Sequence, residues 1–359
     1  MVPAILALFT FLPVPADAGR DRILPLLQAG DFEAAAASME KILADQQRGV
    51  ERGEVALLLS QCYLEMRLPV KAARALSLCP KGWKKDPRYL YCMAESLAAR
   101  GDSLEAENLL RSIPADSIDL RGVFRLAVLL YERGEHLGVV ELLAAAAAGE
   151  PPDYYSCIYR ARSLLALNRP ADAMAALQAI RKVQDTPEIQ YLLGRCAYSL
   201  RNYPQAAGHF RLALKEDKAY LEASFSLSEV LRRAGDREGA KAALVRFAQL
   251  QKVEQVRARR ANLLSQRCRR EPGSLAAWLE AGEFHLGDGD SDQAISHAWQ
   301  ALQLEPGKIP ARLLLARALR DSGQYSQAAL HYRKVIIREP GHDSAAEELR
   351  EMIRKHAQK

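Results

Sequence analysis

Residues 293–307 read QAISHAWQALQLEPG, and residues 327–341 read QAALHYRKVIIREPG, the same phrase 34 residues further on. In each copy alanines and larger apolar residues recur at helical spacing. A Glu-Pro-Gly stop follows, because proline cannot continue a helix. A fixed period of this size marks stacked repeats rather than one globular core.

Working outward from this phrase gives a register. With Leu275 as the first residue of a unit, Trp278, Gly282, Ala294, Ala301 and Pro306 fall at positions 4, 8, 20, 27 and 32. The next unit starts at Ile309, with Ala316, Ala328, Tyr332, Val335 and Pro340 in register. An earlier unit starts at Pro187, with Leu193, Gly194, Ala206, Phe210 and Ala213. Weaker units start near Gly53, Pro87, Leu120, Tyr154 and Leu221, and a degenerate one surrounds Gly30-Asp31-Phe32. Successive starts are 33 or 34 residues apart, except for one step of 54 between Leu221 and Leu275, which contains a 20-residue insertion.

Each unit reads as two amphipathic helices. Most are joined at a glycine (Gly30, Gly101, Gly134, Gly235, Gly289 or Gly323) that can adopt the left-handed conformation ending the first helix. Small residues at positions 8 and 20, such as Ala94 with Ala106 or Gly282 with Ala294, allow close approach of the pair. One such pair cannot bury its apolar face alone, so neighbouring pairs must stack.

The spacing and the residues at positions 4, 8, 20, 24, 27 and 32 resemble the tetratricopeptide repeat, best in the unit starting at Leu275. The resemblance implies an all-α, right-handed superhelical solenoid of stacked antiparallel helix pairs with a C-terminal capping helix. The expected division is an apolar N-terminal segment over 1–18, an array of about seven units over 19–254, a basic helical insertion over 255–274, two well-formed repeats over 275–342 and a cap over 343–359.

Composition agrees with a folded helical protein: 49% of residues are hydrophobic, only 7% aromatic and 26% charged. No run of β-branched residues bounded by turns calls for a strand. The formal net charge of +6 is matched by the segment 251–270 alone, where Lys252, Arg257, Arg259, Arg260, Arg267, Arg269 and Arg270 face a single Glu254. The segment reads as a long second helix, of about 30 residues from Gly239 to Arg270. Its basic face is either simply solvated or a contact for an anionic surface.

Chemistry-bearing motifs are missing. The six cysteines form no C-x-x-C pair, and several fall inside repeat helices. His297 and His331 share a position in consecutive repeats, which places them near one another without implying a metal ligand set. In DGDSDQ (288–293) Gln293 and Trp299 stand where a calcium loop needs glycine and glutamate. No nucleotide-binding, nucleophile-elbow or zinc-protease motif occurs, so neither a cofactor nor a metal is expected, and no specific nucleic acid.

At the N-terminus, an apolar stretch from Ala4 to Leu12 and the triplet Ala16-Asp17-Ala18 predict a secretory signal cleaved before Gly19. The first basic residue is Arg20, so an apolar helical cap is the competing reading. The signal implies an exported, periplasmic or extracytoplasmic protein; the cap leaves it cytoplasmic.

In the tetratricopeptide family, positions 2, 5, 9 and 12 of each first helix line the concave, ligand-facing surface. Carried over by register, position 5 gives Tyr91, Phe124, Ile158, Tyr191 and Phe225, position 12 gives Tyr131 and Tyr198, position 2 gives Tyr155, and position 9 gives Arg162 and Arg195. Aromatic rings beside arginines suit the capture of a protein or peptide, although aromatic residues there also serve repeat packing. The expectation is a non-catalytic scaffold, in an envelope or secretion assembly. The alternative is a regulatory or recruiting array for a separate-chain enzyme such as a glycosyltransferase.

Overall fold

The protein is described by a computed structural model covering residues 20–45, 50–114, 117–146, 153–182 and 184–357. The expected signal over 1–18 lies outside the described residues. Among these there are nineteen α-helices, one short 3-10 turn (Lys81–Lys85) and no strand.

The helices come in pairs, as the period requires. They are α1 (Arg20–Gln28) with α2 (Phe32–Asp45), α3 (Val50–Glu65) with α4 (Pro69–Ser77), and α5 (Pro87–Ala98) with α6 (Ser103–Ser112). Then follow α7 (Leu120–Glu132) with α8 (His136–Ala146), α9 (Tyr154–Ala166) with α10 (Pro170–Arg181), and α11 (Pro187–Ser199) with α12 (Tyr203–Glu216). The last pairs are α13 (Leu221–Arg233) with α14 (Arg237–Arg270), α15 (Leu275–Gly287) with α16 (Ser291–Leu304), and α17 (Ile309–Asp321) with α18 (Tyr325–Arg338). A single helix, α19 (Asp343–Ala357), closes the series.

Local chemistry sets the boundaries. Asp86, Asp119, Asp153, Thr186 and Ser274 cap first helices by accepting a backbone N–H from the first turn. Prolines 69, 87, 170 and 187 occupy first helical positions, where their missing N–H is harmless. Between paired helices the chain adopts positive φ, at Gly30, Gly101, Gly134, Gly235, Gly289 and Gly323 (72–93°). Three pairs lack the glycine, and there Arg67, Asn168 and Arg201 adopt the same conformation, at φ 57°, 56° and 62°. The turn is therefore dictated by the packing of the pair and not by the residue.

The chain divides into two compact units: the residues up to Leu109 together with those from Arg259 onward, and Leu110–Ala258. In the first, a core including Ile23, Met39, Leu57, Leu58 and Leu76 is continuous with one including Ala298, Trp299, Leu315 and Tyr332. In the second, Ile158, Leu164, Leu177, Ile189 and Leu193 form the central layer, followed by Phe210, Val230 and Leu231. All six cysteines are buried and unpaired. No helix among the described residues is long and apolar enough to cross a membrane.

Small residues act where the register put them, with a difference. A Cβ on Gly282 would meet Leu314 Cδ2 at 2.5 Å, so this glycine admits a residue of the next pair. His297 and His331 meet different neighbours. The His297 ring stacks on His285, with centroids 5.2 Å apart, whereas buried His331 lies edge-on to Trp299 and beside the Arg312 guanidinium.

Candidate functional site

In the second unit, α11, α12, α13 and α14 enclose a cavity of about 410 Å³. Its floor is Phe210, which is fully buried; its walls are Tyr191, Tyr198, Phe225 and Phe247. Tyr191 and Phe210 are 5.8 Å apart between centroids, and Phe225 leans on Phe247 at 5.1 Å. Phe225 nevertheless keeps half of its surface exposed.

The charges around this cavity are unequal. Glu229 accepts from both Arg232 (2.7 Å) and Arg233 (2.9 Å), and those hydrogen bonds hold its carboxyl at about 2. Arg233 also covers the Tyr198 ring, 5.4 Å from its centroid. Arg195 has a different setting: its guanidinium lies 5.9 Å over the Tyr191 ring and donates to the Tyr191 hydroxyl at 3.2 Å. Among the described residues no carboxylate pairs with it. Arg195 is exposed and lines the cavity.

A second aromatic group lies in the same unit on α7 and α9. Tyr159 is its hub, edge-on to Phe124 at 5.5 Å and to Tyr131 at 5.2 Å, and Tyr155 lies 6.2 Å from Phe124. Burial pushes the Tyr159 phenol above its usual range, partly offset by Arg162. Arg162 is already satisfied, bonded to Glu188 at 2.5 Å. The two arginines that the register makes equivalent thus differ: Arg162 is neutralised within the chain and Arg195 is not.

Tyr191, Arg195, Tyr198 and Phe225 are therefore gathered around one cavity, and Phe124, Tyr131 and Tyr155 in the neighbouring cluster. Tyr91 belongs to the other unit, where it packs partly buried against the core. Sequence reasoning missed Tyr159 and Phe247. A signal for Phe247 existed: it occupies position 27 of its unit, where other units carry Ala213, Ala301 and Val335.

The basic segment belongs to α14, a continuous helix of 34 residues, twenty more than α16 or α18. It spans about 50 Å at 1.5 Å per residue. Every residue from Gln251 to Arg260 is exposed. Near its end Arg267 pairs with Glu280 (2.5 Å) and Arg260 covers the Phe284 ring (5.4 Å). Arg259, Arg269 and Arg270 have no carboxylate partner among the described residues.

Three stretches match models of the tetratricopeptide repeat, over residues 87–112, 160–220 and 285–353. The chain is a tetratricopeptide-repeat protein. The repeats support a protein-interaction scaffold, since stacked arrays of this kind present extended binding surfaces. No curated protein matches the sequence. Solved structures to which this tetratricopeptide-repeat chain is similar include MamA, at 18% identity over 47% of this chain and 98% of that one, TM-score 0.42. A tetratricopeptide repeat protein from Parabacteroides merdae matches at 14% over 74% and 98%, TM-score 0.39. A Rap protein complexed with Competence and Sporulation Factor matches at 16% over 92% and 97%, TM-score 0.41.

Proposed function

We propose that the chain is a non-catalytic scaffold that captures a peptide segment at the Tyr191–Phe247 cavity, and that it works outside the cytoplasm. The observation that carries the binding site is the unpaired Arg195 at the mouth of a cavity walled by four aromatic rings. Aromatic and arginine side chains dominate binding hot spots because they join large apolar area to directional polar contacts. A volume of about 410 Å³ is that of a small ligand pocket. It accepts one bulky apolar side chain, and Arg195 receives a neighbouring carboxylate. The triplet Ala16-Asp17-Ala18 after an apolar stretch supports export.

Display selection of random peptides on the full chain tests the site. Selected sequences should share a large apolar residue next to Asp or Glu, and Arg195→Ala should abolish that acidic preference. Enrichment of basic or featureless peptides counts against it. The alternative, an array that recruits substrate to a separate-chain enzyme, uses the same cavity and differs only in what the captured segment belongs to.

The end of α14 favours a second contact. Arg259, Arg269 and Arg270 are exposed and without carboxylate partners among the described residues, and this suits contact with an anionic surface.

A further inference from the structure

The first unit joins two stretches far apart in sequence, and side chains join them. At the start of α2, Asp31 caps the helix by accepting from the Ala34 N–H (3.1 Å), and Glu33 follows in the first turn. Arg312 of α17 donates to both Glu33 oxygens, at 2.9 and 3.2 Å, across 279 residues of sequence. Lys334 of α18 reaches Asp31 at 2.8 Å and Glu33 at 3.2 Å. Arg312 is 8% exposed and His331 beside it 2%. Two further contacts lie along the same seam, Arg67 with Asp292 at 2.7 Å and Lys71 with Gln303. The turn at Gly30 rests on Gln327, whose Cγ would lie 3.0 Å from a Cβ on that glycine.

Among the described residues, no backbone hydrogen bond links the stretch up to Leu109 to the stretch from Arg259 onward. The apolar core runs continuously between the two stretches, and beside it the seam is closed by an acidic pair on one side and a basic pair on the other. The acidic pair sits at a helix N-terminus, where negative charge is favoured even before the cations arrive. Each half is thus a preformed surface, complementary to the other in charge.

We propose that the seam is a clasp: it opens by loosening the helices that face it while the rest of the array stays folded, and an opened chain closes instead on a second copy of itself. Both halves belong to every chain, so two opened copies satisfy each other reciprocally, the acidic pair of each on the basic pair of its partner. Exchange of this kind is the usual low-cost route from a closed monomer to a symmetric dimer.

The test uses two charge-reversed full-length chains, Glu33→Arg and Arg312→Glu. Alone, each opposes like charges at the seam. Hydrogen exchange in Phe32–Asp45 and Ile309–Arg338 should rise at least tenfold while Pro187–Arg233 stays protected. Mixed in equal amounts, each chain offers what the other lacks: exchange in both stretches should slow again, and sedimentation should give the mass of two chains. Unchanged exchange in the separate variants overturns the clasp. A mixture that stays at the mass of one chain with fast exchange overturns the exchange of halves. Glu33→Gln, which keeps the side-chain shape, covers the case in which a reversal unfolds everything. It should loosen the same two stretches selectively, and loss of protection across the whole chain in this variant also rejects the proposal.

Discussion

Gly194 lies so close to Phe210 that a Cβ there would stand 2.6 Å from a ring carbon. Phe210 is fully buried and forms the floor of the aromatic cavity, so the ring cannot swing aside freely. Alanine elsewhere in a helix gains about 1 kcal/mol over glycine, but overpacking of a filled core costs about 1–3 kcal/mol. Gly194→Ala should therefore lower stability in denaturant unfolding and, by displacing the floor, weaken peptide capture. A variant that is stabilised by the helix-propensity gain would show that the pair can spread apart.

The non-glycine turns hold stored strain. Arg201 sits at φ 62°, exposed and away from any carboxylate partner among the described residues. A left-handed conformation costs an L-residue about 1–2 kcal/mol, and glycine avoids this. Part of that gain is lost to the greater freedom of glycine in the unfolded chain. Arg201→Gly should raise stability by up to about 1 kcal/mol. A melting temperature that falls instead contradicts the reading of the turn as strained.

Much of this architecture was legible in the sequence. The register starting at Pro87, Leu120, Tyr154, Pro187, Leu221, Leu275, Ile309 and Asp343 gives the first residue of a helix each time, because one period repeats one packing problem. The turns at Arg67, Asn168 and Arg201 were not marked, since tertiary packing imposes their conformation on residues that do not advertise it. Phe247 was hidden for a simpler reason: it lies on a second helix, and the family rule looks at first helices. The seam was invisible. Asp31, Glu33, Arg312 and Lys334 look like ordinary helix-surface charges, and no local pattern records a contact across 279 residues.

Acid should weaken the first unit before it affects any carboxylate. Burial, with Lys334 and Arg312 nearby, lowers the His331 pKa from 6.5 to about 3. Unfolded imidazole takes up a proton in this window that the folded one refuses, so stability is full above pH 6.5 and falls as pH drops towards 3. The expected slope from this one group is about 1.4 kcal/mol per pH unit. Glu33 adds to the loss at lower pH. Burial opposes its ionisation, but Arg312 and then Lys334 outweigh this and hold it at about 2 against an ordinary 4.5. Its contribution is complete above 4.5 and disappears as pH falls through about 2. His331→Leu should flatten the slope between pH 6.5 and 4.5; an unchanged slope would assign the acid sensitivity elsewhere.

The basic end of α14 makes a separable prediction. If Arg259, Arg269 and Arg270 meet an anionic surface, the protein should float with phosphatidylserine vesicles at low salt. It should be released near 1 M, where the screening length falls to about 3 Å. Replacing the three arginines with glutamine should remove flotation without changing peptide capture. Binding that ignores salt, or none, leaves the helix face as solvated charge.

The most direct test of the central claim measures affinity and melting temperature together on Tyr191→Ala and Arg195→Ala, using a peptide selected on the native cavity. Truncating a true anchor typically costs about 2 kcal/mol or more, and about 1.4 kcal/mol is already tenfold in Kd. Both variants should bind at least roughly tenfold more weakly, with the Arg195→Ala melting temperature unchanged because that side chain is exposed at the cavity mouth. Unchanged affinity with a lowered melting temperature would contradict the account, making Tyr191 and Arg195 packing residues and the cavity a gap between repeats.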